Sequence, residues 1–172
     1  MLVLCAGRHN EIRLIQWPEV DWVRKVLTVP AARMKGRKSK RKPHAIPLPD
    51  RAIEILEKRR HLDAPFADVG RDAIAKLNRA ICGEWTEIIE GEEVVVRPTP
   101  HGWRSTFRRW AAAKGNISFE AAELALAHEI AMTKAQRAYL RGEGLLDERR
   151  ILMARWADYL ADRRGQVVTL RA

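Results

Sequence analysis

The sequence predicts one domain, residues 1–172, that is mainly α-helical and carries a small antiparallel β-sheet or hairpin. Five segments place apolar residues at helical spacing. Two short segments rich in β-branched residues flank one basic loop, which is the pattern of a β-hairpin. The 172 residues are 47% hydrophobic and 31% charged, which is the composition of a globular domain with a buried core.

The first 50 residues predict a turn, a short helix and two strands. Residues 1–20 begin apolar, turn at Ala6 and Gly7, and continue as a short helix. Alternation over residues 21–30 favours a strand, and residues 44–49 predict a second strand that is stopped by prolines. Two strands joined in this way form a hairpin with a basic tip.

Five further helices are expected in the rest of the chain. They span residues 50–60, 70–85, 102–115, 118–129 and 145–164. Asp50 is the expected N-cap of the first, Gly115 ends the third and Ser118 opens the fourth. Residues 88–100 predict either an acidic turn with a short strand or a loop.

The loop between the two strands is strongly basic. Residues 33–42 hold seven Lys or Arg residues and no acid, in a chain of net charge +10. A charge run is usually a solvated surface, but it also suits a DNA backbone, where binding would be steeply salt-dependent. The predicted DNA contacts are Arg33, Arg37, Lys38, Lys40, Arg41 and Lys42 in the loop, with Arg108 further on. Arg108 has the alternative of pairing with an acid among Glu84, Glu87 and Glu90.

Several classes of protein are disfavoured. Cys5 and Cys82 lack metal-binding spacing. They are expected to be two buried, reduced thiols, with a single disulfide as the alternative. No apolar run approaches the roughly 20 residues that span a bilayer. The opening residues become charged too soon for a secretory signal. A soluble, cytoplasmic protein without a membrane partner or a metal site is expected.

Residues 101–110, HGWRSTFRRW, contain the first candidate for chemistry. His101 and Arg104 lie three positions apart and share a helix face, so both could touch one anion. An arginine fork suits phosphate oxygens, and a histidine can move a proton near neutral pH. The competing interpretation is a solvated basic helix face, which is the commoner explanation of an isolated histidine and arginine at this spacing.

Other stretches carry matching chemistry. Arg8 follows the small-residue turn, with Glu11 three positions on and able to orient it. Lys35 lies at the edge of the basic loop. His128 ends an alanine- and leucine-rich helix, and Tyr139 follows in RAYLRG.

These motifs, in this order, resemble the catalytic domain of the tyrosine recombinases, specifically of phage and prophage integrases. The matching residues are Arg8 with Glu11 in GRHNE, Lys35 in RMKGRKSKRKPHAIPL, His101 with Arg104 in HGWR, His128 in LAHE, and Tyr139 in AYLRG. The ending ERRILMARWADYL is similar to the last helix of prophage integrases, and this ending favours them over type IB topoisomerases. Each motif is weak alone, but five in order over nearly the whole chain are specific.

The resemblance implies a covalent reaction on DNA. Tyr139 would attack a phosphodiester, giving a 3′-phosphotyrosyl link and a free 5′-hydroxyl. Lys35 would protonate the leaving oxygen, with Lys38 and Lys40 as its alternatives, and His101 would assist proton transfer from the tyrosine. Tyr159, the other tyrosine, lies at apolar helical spacing and is expected in the core.

The transition state would be clamped by Arg8 and Arg104, assisted by His128, and no metal or other cofactor is implied. The implied function is prophage integration or excision at attachment sites in double-stranded DNA. The family acts as a tetramer on DNA, in the bacterial cytoplasm at the nucleoid, and the isolated chain is expected to be a monomer.

Full-length relatives carry a core-binding domain, and often an arm-binding domain, so the chain is expected to be a catalytic domain truncated at its N-terminus. The alternatives are a non-catalytic DNA-binding remnant and an unrelated basic interaction module with the five motifs scattered.

Overall fold

The computed structural model of the chain describes residues 1–97, 99–114, 116–130 and 145–162. Within these ranges lie helices α1 (His9–Arg13), α2 (Asp50–Glu57), α3 (Ala73–Cys82), α4 (Gly102–Lys114), α5 (Phe119–Ala125) and α6 (Leu146–Asp162). The strands are β1 (Val20–Asp21), β2 (Val26–Val29), β3 (His44–Pro47), β4 (Trp85–Ile89) and β5 (Glu92–Val96). The described residues therefore form helices with small antiparallel sheets, as predicted.

Strands β1, β2 and β3 form one antiparallel sheet in that order. Val29 faces His44 and Val26 faces Pro47, so β2 and β3 are the predicted pair around the basic loop. The strand expected over residues 21–30 is wrong in its first half, because the chain turns between β1 and β2. The Asp21 carboxylate accepts a hydrogen bond from the Arg24 backbone N–H at 2.8 Å, which stabilises that turn.

A second hairpin, β4–β5, occupies the segment for which a turn with a strand or a loop was expected. Its turn residues Glu90 and Gly91 have φ values of 53° and 85°. This backbone suits a tight two-residue hairpin turn, which explains the glycine. Most side chains of both strands are exposed.

Two helix starts were predicted, and one is wrong. Ser118 is the N-cap of α5, and its Oγ accepts a hydrogen bond from the Ala121 N–H at 3.1 Å. Asp50 instead lies inside α2, whose N-cap is Pro49. The Asp50 carboxylate pairs with Lys25 Nζ at 2.7 Å. Gly115, the expected end of α4, lies outside the described residues.

The buried residues form two clusters that meet at the N-terminal segment. The first packs the three-stranded sheet against α2 and includes Cys5, Ile15, Leu27, Ile46 and Leu56. The second packs α4, α5 and α6 and includes Ala6, Phe107, Trp110, Leu126 and Trp156. Since Cys5 and Ala6 belong to different clusters, the turn that follows them lies where the two meet. Cys5 is buried as expected, but Cys82 is exposed, so the expected burial of both thiols is wrong for Cys82, and neither forms a disulfide. Among the described helices, none has the length and apolarity that a bilayer crossing requires.

Candidate functional site

Arg8 is held by its own helix. Gly7 precedes it in a buried turn, where a Cβ would lie 2.6 Å from Ile12 Cδ1, so only glycine fits without a shift. Glu11 is 2% exposed. Its carboxylate accepts hydrogen bonds from the Arg8 backbone N–H at 2.8 Å and from Arg8 Nη1 at 2.7 Å. Glu11 therefore orients the Arg8 guanidinium, as its spacing predicted.

Arg104 lies in the first turns of α4 and is buried. Its guanidinium donates hydrogen bonds to the backbone carbonyls of Ala6 and Leu126, the latter at 2.6 Å from Nη2. Burial, followed by the positive charge of Arg8, lowers the pKa of Arg104 to about 10. Arg104 is still a cation at neutral pH, and its position is fixed by backbone atoms.

The two guanidiniums converge on one short stretch of backbone. Arg104 bonds the Leu126 carbonyl, and Arg8 Nη2 lies 3.5 Å from the carbonyl oxygen of the next residue, Ala127. The charge of Arg8 contributes to the lowered pKa of Arg104, as expected for neighbouring cations. Two cations beside one carboxylate, Glu11, leave an excess positive charge that suits a phosphate.

His128 directly follows this stretch of backbone. Its Nδ1 lies 2.6 Å from Glu123 Oε2, while Arg108 contacts the other carboxylate oxygen of Glu123. Arg108 also lies over the Phe119 ring, 4.9 Å from its centroid. The alternative given for Arg108, pairing with Glu84, Glu87 or Glu90, is therefore wrong, and its DNA contact stays a prediction. The actual partner, Glu123, comes from α5, which packs against α4.

The side chains of the other predicted catalytic residues are not joined to this site by described hydrogen bonds. Lys35 and His101 are exposed. The backbone N–H of Arg104 donates to the His101 carbonyl at 3.0 Å, but no side-chain hydrogen bond within the described residues connects Lys35 or His101 to Arg8 or Arg104. Tyr139 lies outside the described residues. The structure thus brings together Arg8, Glu11 and Arg104. His128 directly follows Ala127, whose carbonyl oxygen lies beside Arg8.

The basic loop contains both exposed and structurally engaged residues. Arg37, Lys38 and Lys42 are exposed, and the Lys40 side chain is outside the described part of the chain. Arg41 donates to the carbonyls of Gly36 at 2.8 Å and Ala32 at 3.1 Å, which braces the loop.

Arg33, in contrast to Arg37, Lys38 and Lys42, is largely shielded from solvent. It pairs with both carboxylate oxygens of Glu19 at 2.7 and 2.5 Å and with the Leu14 carbonyl at 2.6 Å. A bidentate pair of this kind fixes the side chain within the fold. Arg33 is therefore engaged within the fold, and its contact with DNA stays a prediction.

Several curated proteins are similar to the chain over most of its length. Prophage integrase IntZ of Escherichia coli (strain K12) is 31% identical over 92% of this chain and 37% of its own length. The integrase of Shigella phage Sf6 is 29% identical over 92% of this chain and 40% of its own length. The integrase of Enterobacteria phage P4 is 27% identical over 98% of this chain and 40% of its own length. The chain belongs to the integrase family.

This integrase chain spans 37 to 45% of the length of the curated relatives that it matches. No protein-family model matches it. No solved structure matches it either. The relatives' names agree with the family that the ordered motifs resemble.

Three buried or shielded polar residues of the integrase were not predicted as parts of the site: His44, Glu123 and Arg149. His44 in β3 hydrogen-bonds the backbone of Ala125. Arg149 in α6 donates to the Ala45 carbonyl at 2.8 Å and lies 3.5 Å from the Leu124 carbonyl. Both tie separate elements to the end of α5, and no local sequence pattern indicates such contacts.

His44 is expected to make the integrase less stable as the pH falls below about 6.5. Burial, followed by the charge of Arg149, lowers the pKa of His44 to about 4. An unfolded histidine titrates near 6.5, so between these values the unfolded state binds more protons and unfolding becomes easier. The shift predicts a loss of about 2 kcal/mol in the free energy of unfolding between pH 7.5 and pH 5.0.

Denaturant unfolding at both pH values checks this expectation. His44→Gln should remove most of that pH dependence, although it will also lower stability at pH 7.5. His61→Gln is the matched control, since His61 is exposed. An equal pH dependence in the wild type and in His44→Gln would contradict the assignment.

Proposed function

We propose that this integrase domain cuts and rejoins DNA in site-specific recombination through a covalent tyrosine intermediate. The observation that carries the proposal is the convergence of Arg8 and Arg104 on the consecutive carbonyls of Leu126 and Ala127. The family explains why a domain with this site would act on DNA, and the site supplies the physical argument.

Phosphoryl transfer places negative charge on the non-bridging oxygens in the transition state. Donors that are already in position stabilise that charge without a cost of reorganisation. Glu11 orients Arg8, and backbone carbonyls fix Arg104, so both guanidiniums meet this requirement. His128 would be a third donor beside them.

Tyr139 is the proposed nucleophile. Its oxygen would form a bond to phosphorus as the bond from phosphorus to the 5′-oxygen breaks. A phenol with a pKa of about 10 must lose its proton as it attacks. His101 would accept that proton, and Lys35 would supply one to the leaving 5′-oxygen.

The basic loop is the proposed contact with the DNA backbone. Arg37, Lys38 and Lys42 are exposed, and the chain carries a net charge of +10. Each phosphate contact would release counterions and steepen the salt dependence of binding, without reading the base sequence. The proposed DNA partner is an attachment-site duplex, on which four copies of the protein would assemble.

Covalent capture tests the proposed function without knowledge of the attachment site. The protein is incubated with a library of randomised duplexes that carry a nick, so that the short released strand diffuses away and cleavage cannot be reversed. We expect an adduct that survives detergent, with the nucleotide on the tryptic peptide 138–141, which contains Tyr139. Salt-sensitive DNA binding without any adduct would support the non-catalytic remnant instead.

A further inference from the structure

We propose that Glu123 is a positioning residue that holds the imidazole of His128 for the phosphoryl-transfer step. The proposal rests on the proposed function, because it treats His128 as a donor to the phosphate. It adds a residue that lies outside the five ordered motifs. It also predicts that Nδ1 carries the proton when the ring of His128 is neutral.

Two hydrogen bonds join Glu123 and His128. The backbone N–H of His128 donates to the Glu123 carbonyl at 3.0 Å, and the ring Nδ1 lies 2.6 Å from Glu123 Oε2. Between them the chain leaves α5, and Ala127 has a φ of 50°. The backbone bond places the histidine, and the side-chain bond then selects one orientation of its ring.

The carboxylate is a fixed acceptor. The Glu123 side chain is 15% exposed, against 42% for that of His128. Although burial acts in the opposite direction, hydrogen bonds from His128 and Arg108 lower the pKa of Glu123 below its usual value. An ionised carboxylate can only accept, so Nδ1 of His128 must carry the hydrogen.

This bond leaves the other ring nitrogen, Nε2, to face the substrate. Nε2 would donate to a phosphate oxygen from the imidazolium form of the ring, in which both nitrogens carry a hydrogen. Ligating and catalytic histidines are oriented in this way when a carboxylate holds one ring nitrogen and the other does the work. Arg108 braces the same carboxylate from its second oxygen. Arg108 therefore supports the carboxylate that holds the His128 ring.

The ring protonation is measured directly by long-range proton–nitrogen NMR on protein with labelled histidines, above the pH at which histidines titrate. In the wild type we expect His128 to carry its proton on Nδ1. Glu123→Ala should move it largely to Nε2, and Glu123→Gln should have an intermediate effect. Glu120→Ala, which changes the same residue type on the same helix, should leave it unchanged.

The second readout is the single-turnover rate of adduct formation at saturating DNA. Glu123→Ala should lower this rate by about 10- to 100-fold, with DNA affinity kept, because the reacting group is misplaced and the binding surface is not. Glu120→Ala should react like the wild type. Arg108→Met should have a smaller effect than Glu123→Ala, since the bond between Glu123 and His128 survives.

An Nδ1 proton that stays in place in Glu123→Ala would overturn the proposal. A proton that moves to Nε2 with an unchanged rate would overturn it as well. If the wild type forms no adduct with any DNA, the proposed function fails. Failure of the proposed function can be told apart from failure of the positioning role of Glu123, because the NMR measurement needs no DNA.

Discussion

Replacing Tyr139 with phenylalanine is expected to abolish covalent capture of DNA, while Tyr159→Phe leaves it unchanged. These are the two tyrosines of the chain. Phenylalanine keeps the ring and removes the oxygen that would bond to phosphorus, so the loss should be at least about 1000-fold. Tyr159 is half-buried, and its ring centroid lies 5.6 Å from those of Trp110 and Trp156, so it packs against the aromatic core.

The measurement is the yield of detergent-resistant adduct, with DNA binding followed in parallel at the same salt concentration. Both variants should bind DNA as the wild type does, because neither removes a positive charge. An adduct that persists in Tyr139→Phe would contradict the assignment of the nucleophile. Loss of the adduct in Tyr159→Phe alone would identify Tyr159 as the nucleophile instead.

Local contacts of the fold were predictable because they depend on residues close in sequence. Ser118 bonds the N–H three residues on, and Glu11 pairs with Arg8 at the same spacing. Helical periodicity found the long helices for the same reason. The expected cap at Asp50 failed because the preceding proline took that place and the carboxylate bonded Lys25, which is distant in sequence.

The rest of the site depends on tertiary contacts that no local pattern reveals. Arg104 bonds carbonyls of residues 98 and 22 positions away. Arg33 was predicted to meet DNA because it lies in a charge run, but Glu19, 14 residues earlier, holds it. Glu123 and His128 meet across the end of α5, where helical spacing no longer applies. In each case tertiary contacts determine which charged side chains pair within the protein.

Replacing either Arg8 or Arg104 with lysine is expected to slow adduct formation by about 100-fold. Lysine keeps the charge but loses the planar fork that can hold backbone and phosphate oxygens together. Alanine at position 104 is a poorer test, because it would leave the buried carbonyls of Ala6 and Leu126 without their donor and cost roughly 3 kcal/mol of stability. Arg109→Lys is the matched control, since Arg109 is exposed on the same helix.

The two lysine variants also test whether the arginines hold the same phosphate. If they act on separate groups, the double variant should lose the product of the single losses, about 10⁴-fold. If they clamp one phosphate, the second substitution acts on a transition state that is already poorly held, and the double variant should lose clearly less than that product. Single-turnover rates of the four proteins, each shown to be folded by denaturant unfolding, measure the difference. Full additivity would mean that the two guanidiniums, although they converge on one stretch of backbone, do not hold one phosphate.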